Sequence, residues 1–275
     1  MRAFSTIAQG PLNLGRLGRM LAGLLVATLL NSGLIQAQAE EHPWVRVADD
    51  LEIQQFNVDP FSLFSVQFLL VRTELERYRI SVVRAADYGM RNGDPRELCR
   101  AVHGSLCINA NFFDEQGKPL GLVVNRGIQH QAVHRGGSTL TGVFQVSRGS
   151  VEIVHRDTYR PGSATEAVQA GPRLIAGGKP VLSNDMSRSR RAGVCLDAHK
   201  RVIFFHVSAA FSGVSISELQ KFLLNAGCVQ ALNFDGGGSA QIYISGELPG
   251  VARNHSEIFL PGRDPVPVMV ALLPK

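Results

Sequence analysis

Residues 231–240 read Ala-Leu-Asn-Phe-Asp-Gly-Gly-Gly-Ser-Ala, an apolar run that delivers the carboxylate of Asp235 and then sheds its side chains until Ser239. Without Cβ atoms, Gly236, Gly237 and Gly238 let backbone amides approach an anion or a sugar closely, and they leave Asp235 at a strand end. The same composition suits a tight turn whose aspartate accepts from local amides. A Walker phosphate loop is excluded, because the Gly-Lys-Ser/Thr ending is missing. A second polar group sits in Ile108-Asn109-Ala110-Asn111-Phe112-Phe113-Asp114. A period of two places Asn109 and Asn111 on one strand face, where amides hold hydroxyls through donors and acceptors or else bond to buried backbone. Asp114 offers a second carboxylate. Gln169-Ala170-Gly171-Pro172-Arg173-Leu174-Ile175 carries one arginine through an apolar stretch. Taken alone, Arg173 is expected in a structural ion pair, with anion binding through its planar fork as the alternative. The run Arg188-Ser189-Arg190-Arg191 supplies more cations, of which Arg190 or Arg191 suits the same task.

Strands must position most of these groups. Apolar and polar residues alternate over 51–58, 66–72, 78–83 and 151–154, the pattern of half-buried strands. Turn residues at 147–150, 177–178 and 197–201 divide successive runs into hairpins. Two segments carry helix signals instead. Asp94 caps the first, Pro95 takes its first position, Glu97 follows, and Gly104 supplies a left-handed stop. Ser215 and Glu218 form a capping box for the second, Leu219, Phe222 and Leu223 give it one apolar face, and Gly227 ends it. Each helix leads into a strand, over 106–113 and 229–234. Two helix-to-strand units inside a mostly β body predict an α+β fold with a mixed sheet and two principal helices. Residues 156–165 read as a loop, and no internal repeat, low-complexity tract or linker divides the chain.

Residues 1–39 are read apart from this body. Arg2, Arg16 and Arg19 precede an apolar run over 20–35, and Ala37-Gln38-Ala39 gives a small-x-small cleavage site, the pattern of a secretory signal peptide. Cleavage there would leave 40–275 as a single domain with no stable membrane anchor. The formal charge of the 275-residue chain is +5; removing those three arginines from 28 basic residues against 23 acidic ones leaves +2, too small an excess to indicate nucleic acid. Cys99, Cys107, Cys195 and Cys228 form an even set in a chain bound for an oxidising compartment, periplasmic or extracellular. Pairing Cys99 with Cys107 and Cys195 with Cys228 is favoured, since a helix and its following strand, or two neighbouring core elements, reach bridging distance. Four buried thiols remain the alternative. His103, His130, His134, His155 and His206 lack metal-ligand spacing and are read as ordinary polar or core residues.

The ordered set Asn-x-Asn-Phe-Phe, Gln-Ala-Gly-Pro-Arg-Leu and Asn-x-Asp-Gly-Gly-Gly-Ser resembles the phosphodiester glycosidase family. The resemblance covers residues 80–272. It matches an Asn-rich strand at 109–114, a Pro-x-Gly step at Pro119 and Gly121, Arg173, an arginine before the Gly193-Val194 strand, and the turn from Asp235 to Ser239. Asn254 and Arg263 match polar residues before the last strand. The resemblance implies hydrolysis of a sugar 1-phosphodiester at the anomeric carbon, on a sugar-phosphate or phosphorylated glycan. A phosphate leaves as a stabilised anion, so anion recognition outweighs protonation. Arg173 and Arg190 or Arg191 would clamp the phosphate, with the Gly236–Gly238 amides assisting. Asp235 would act as nucleophile or base, and Asn109 and Asn111 would position the sugar. If Asp114 is the partner carboxylate, a spacing of about 5 to 5.5 Å would imply retention and roughly 6.5 to 9.5 Å inversion. No cofactor is required on this expectation. Two rivals remain: a glycan-binding envelope protein without turnover, and a hydrolase in which Asp235 holds a divalent cation.

Overall fold

The computed structural model describes residues 42–58, 65–183, 185–249 and 256–275; residues 1–39, read above as an export signal, and Asn254 lie outside the described residues. Three sheets wrap one shared core. The largest runs in the order β1 (Val45–Ala48), β2 (Leu51–Val58), β3 (Val66–Thr73), β14 (Val202–Ala209), β13 (Arg191–Asp197), β15 (Cys228–Asn233), β11 (Arg173–Ala176), β12 (Lys179–Pro180). A second contains β7 (Ile128–Gln131), β6 (Val123–Asn125), β10 (Glu166–Ala170), β8 (Gly142–Ser147) and β9 (Ser150–His155). The third contains β17 (Ile258–Leu260), β16 (Ile242–Ile244), β5 (Leu106–Asn109), β18 (Val268–Pro274) and β4 (Tyr78–Arg84). The three expected hairpins form, as β8–β9, β11–β12 and β13–β14.

Side chains of all three sheets meet in the central cluster, with Leu69, Val194, Phe204 and Leu232 from the first, Phe144 and Val168 from the second, and Ile108, Ile242 and Val270 from the third. The outer faces of the first and third sheets are each covered by a helix, so their strands read as near-continuous apolar runs, while Tyr159 and Ala164 of the 156–165 loop cover Val124, Val143 and Ala167 of the second. Helix α1 (Pro95–Ala101) is capped by the Asp94 side chain and places Leu98 and Cys99 against Val83, Met269 and Leu273. Helix α2 (Ile216–Asn225) has a full Ser215–Glu218 capping box and lays Ile216, Leu219, Phe222 and Leu223 on the eight-stranded sheet. Its Phe222 ring lies 4.4 Å from that of Phe68. Cys99 is bonded to Cys107, and Cys195 to Cys228, with Cα separations of 5.6 and 5.8 Å.

The mostly β, two-helix body is as expected, but the mixed sheet is corrected: every named strand pair is antiparallel. Each helix does return the chain parallel to the strand before it, β4 to β5 and β14 to β15. An antiparallel strand then fills the place between them, β18 in one unit and β13 in the other. Local signals specify a crossover; which strand occupies the gap is a long-range choice.

Candidate functional site

The two crossover units meet at the ends of β5 and β15. The Asp235 N–H donates to the Ala110 carbonyl at 3.0 Å, and the Asn109 Nδ2 donates to the Asp235 carbonyl at 2.7 Å. Asn109 Oδ1 accepts from the Gln241 N–H at 3.0 Å, so one buried amide fixes both sides of the glycine turn. Phe234 anchors the turn from within, being fully buried in the central core with its N–H on the Ala192 carbonyl. The side chain of Asp235 therefore emerges at a point fixed by backbone on either side.

Beyond Asp235 the chain folds tightly. Gly237 has φ +59°, a left-handed conformation suited to glycine. A Cβ on Gly238 would collide with the Asp264 carboxylate, and the Gly238 carbonyl accepts from the Arg263 N–H at 2.7 Å. Two arginines and a second carboxylate are thus gathered on the turn. Arg190 reaches across it, its Nη2 donating to the carbonyls of Ala240 at 2.8 Å and Pro261 at 2.6 Å. Arg190 Nε is buried with no partner. Among the described residues, neither Arg190 nor Arg263 forms an ion pair with a carboxylate.

Electrostatics follow from this crowding. Burial pushes the Asp235 carboxyl up to about 6; the Ser239 hydroxyl and Gly236 amide oppose that rise, and the Asp264 charge adds to it. Burial, then the neighbouring Arg263, pushes the Arg190 guanidinium down. A carboxylate with a raised proton affinity on the same glycine turn as cations that lack carboxylate partners is an arrangement suited to acid–base or nucleophilic work on an anion. Among the described residues, no group of three or more His, Cys, Asp or Glu side chains is placed to hold a metal ion.

The sequence-nominated residues separate into three groups. Asp235, Gly236, Gly237, Gly238, Ser239, Arg190 and Arg263 come together. Asn109 and Asn111 lie beside them as buried, backbone-bonded amides: the Asn111 Nδ2 donates to the carbonyls of Leu122 and Gln169 at 3.1 and 2.9 Å, leaving no donor for a sugar. Gly237 is likewise committed, its N–H donating to the Arg190 carbonyl at 3.0 Å, which removes it from the expected anion-binding amides.

Three others turn their charged groups elsewhere. Asp114 Oδ1 accepts from the N–H groups of Gln116 and Lys118 at 3.0 and 2.8 Å, closing a local turn. Arg191 stays next to the turn through its stem, its Cδ 3.9 Å from where a Gly236 Cβ would stand, but its guanidinium is committed to the carbonyls of Val214 and Ser187, with Asp185 3.7 Å away. Arg173 pairs in register with Leu232, and its guanidinium lies 3.5 Å from the Gln230 Oε1, near the start of β15 rather than at the turn beyond its end. The ion pair that its isolated context suggested is absent among the described residues. What that segment gives the turn is backbone, since the Gly171 carbonyl accepts from the Asn233 Nδ2 at 3.1 Å and the Pro172 carbonyl from its N–H. Asp264 and Asn233 are the site residues that sequence reasoning passed over. Asn233 carried a signal in its period-two relation to Asp235; Asp264 carried only its position next to Arg263.

The family model for phosphodiester glycosidases matches residues 104–273, more than half of the chain, and the chain belongs to that family. The match begins at 104 rather than at 80. The protein YigE of Escherichia coli (strain K12), itself uncharacterized, is 28% identical over 154 residues, 52% of this chain and 60% of YigE, so the chain spans well under the whole of that relative. The catalytic domain of zebrafish N-acetylglucosamine-1-phosphodiester alpha-N-acetylglucosaminidase, solved auto-inhibited by its pro-peptide, shares the fold at a TM-score of 0.62 and 15% identity, covering 89% of this chain and 93% of that one. A hypothetical protein from Synechocystis does so at a TM-score of 0.58 and 17% identity, over 85% of this chain and 64% of that one.

Proposed function

We propose that the chain is an exported hydrolase that splits the bond between a sugar's anomeric carbon and the phosphate of a sugar 1-phosphodiester, with an N-acetylglucosamine 1-phosphodiester as the first substrate to try. The observation that carries this reading is the Asp235 turn, where a half-buried carboxyl raised to about 6 shares one glycine turn with Arg190, which bridges it, and Arg263, which is bonded to it through backbone. Arg190 and Arg263 hold the phosphate and stabilise the charge that grows on its bridging oxygen as the C1–O bond breaks. Asp235, ionised at neutral pH, either attacks C1 or takes a proton from the attacking water, and the products are the free sugar and a phosphomonoester. Asn109, Asn111 and Asn233 act from behind by fixing the two strand ends. Asp264 takes the place expected of Asp114 as the second carboxylate. Both disulfides support the exported setting, since such bonds persist in oxidising compartments.

The test is a product assay on an N-acetylglucosamine 1-phosphodiester. Free sugar and phosphomonoester should appear in equal amounts; saturable binding with no product would leave a glycan-binding protein. Two carboxylates on one glycine turn also suit a divalent cation. Chelation should leave turnover unchanged if the arginines act alone, and abolish it if Asp235 and Asp264 hold a cation.

A further inference from the structure

Strand β4 is the edge of the third sheet, two strands removed from β5, which carries Asn109 to the glycine turn. Along β4 opens a cleft of about 310 Å³ that the proposed reaction does not use. That volume lies at the lower end of the range for small-molecule sites and exceeds what a bare anion needs. Val83, Val102 and Leu273 give it an apolar floor, and the half-exposed ring of Tyr88 lines it as well.

The polar groups of this cleft lack partners. Ser81 is 5% exposed, yet its hydroxyl makes no hydrogen bond to the described residues. Arg79, Arg126 and His103 line the cleft too, and among the described residues their side chains form no hydrogen bond or ion pair. Of the carboxylates nearby, Asp87 is taken up by Arg84 at 2.9 Å. Glu166 is buried, each of its oxygens accepting a backbone N–H, from Val82 at 2.7 Å and Arg126 at 3.1 Å, and burial pushes its carboxyl up. Its single charge leaves the two arginines in excess, open to an anion that fits their planar forks.

Two of these side chains stand where the backbone disfavours them. Arg126 (φ +51°) and His103 (φ +52°) are both left-handed, a conformation in which glycine or asparagine is least strained. Arg126 opens the two-residue turn between β6 and β7, where Asn-Gly is the common pair. Arginine at that position brings its guanidinium to the cleft.

We propose that this cleft is a second, non-catalytic site for a monosaccharide carrying a phosphate. Arg79 and Arg126 hold the phosphate, the Ser81 hydroxyl bonds the sugar, and the apolar floor with Tyr88 takes a face of the ring. The probe is glucose 6-phosphate, which has no anomeric phosphodiester to cleave, and the readout is the backbone amide shifts of the full chain. Saturable shifts are expected at Ser81, Val82, His103 and Arg126. Inorganic phosphate should bind there about tenfold more weakly, and glucose should produce no shifts.

Arg79→Ala and Arg126→Asn should each weaken glucose 6-phosphate at these amides about tenfold. Arg126→Asn should melt at or above the wild-type temperature, because asparagine tolerates the left-handed turn, and both variants should keep any wild-type turnover of a sugar 1-phosphodiester. Shifts confined to the turn from Asp235 to Ser239, or full affinity in both variants, would overturn the proposal. Inorganic phosphate binding as tightly as glucose 6-phosphate would overturn the assignment to a sugar. A wild type without turnover would defeat the reaction proposed for Asp235 and leave this result standing, since the two sites share no residue.

Discussion

The two crossover units, β4–α1–β5 and β14–α2–β15, are built alike and end differently. In each a capped helix covers the sheet, an antiparallel strand enters between the parallel pair, and a disulfide ties the strand after the helix to a neighbour. Each returning strand ends in an asparagine, Asn109 or Asn233, followed two positions later by a second polar residue. That residue is Asn111 in the first unit, almost wholly buried with both donors bonded to backbone carbonyls. In the second unit it is Asp235, partly exposed and followed by glycines. One scaffold has two outcomes: the neutral unit is bonded into backbone, and the charged unit keeps a partly exposed carboxylate, the group to which the proposed function gives the substrate.

Making the second unit like the first should have the largest effect. Asp235→Asn is expected to lower kcat on a sugar 1-phosphodiester by at least about 10³-fold, read in the product assay. The same change should stabilise the fold. Because the folded-state pKa of Asp235 is raised, the wild type carries a penalty that is absent below about pH 4, grows as pH rises towards 6 and is constant above that. Discounted for its partial exposure, this is about 1–2 kcal/mol. Asp235→Asn should therefore melt higher than wild type at pH 8 and equally at pH 3.5, and a difference that grew on acidification would contradict the assigned shift.

Removing the cation that serves only the charged unit comes next. Arg190→Ala should lower kcat/KM by about 10²-fold, whereas Arg173→Ala, whose guanidinium lies at Gln230, should cost less than about tenfold. Equal losses would mean that Arg173 swings to the turn when substrate binds. A smaller effect is expected where the units touch. Asn109→Ala leaves the Asp235 carbonyl and the Gln241 N–H without their side-chain partner, and should destabilise by about 2 kcal/mol in urea unfolding with roughly a tenfold loss of kcat.

The disulfides give the finest comparison. The sequence separations are 8 for Cys99–Cys107 and 33 for Cys195–Cys228. Chain-entropy arithmetic then makes the second worth about 1 kcal/mol more. Paired Cys→Ala variants, followed by urea unfolding, would show the difference. Equal losses would put the stabilisation in local packing instead of loop closure.

Residue order alone determined what depends on near neighbours. The helix caps at Asp94 and Ser215, the three hairpins, and the Asp235 turn were legible because capping, turn geometry and glycine's freedom act over a few residues. Family resemblance carried the reaction class further than those rules could. Tertiary structure decided which side chains share a space. Arg190 was separated from its neighbour Arg191 because successive side chains on an extended chain point oppositely, one across the turn and the other to the Val214 carbonyl. Arg173 and Asp114 were drawn away by partners that no spacing revealed, Gln230 in one case and the 116–118 backbone in the other. Asp264 reaches the Asp235 turn only through the folding of a separate loop onto it, a contact whose loop-closure cost is met by a core shared among three sheets and which leaves no periodic trace in the chain.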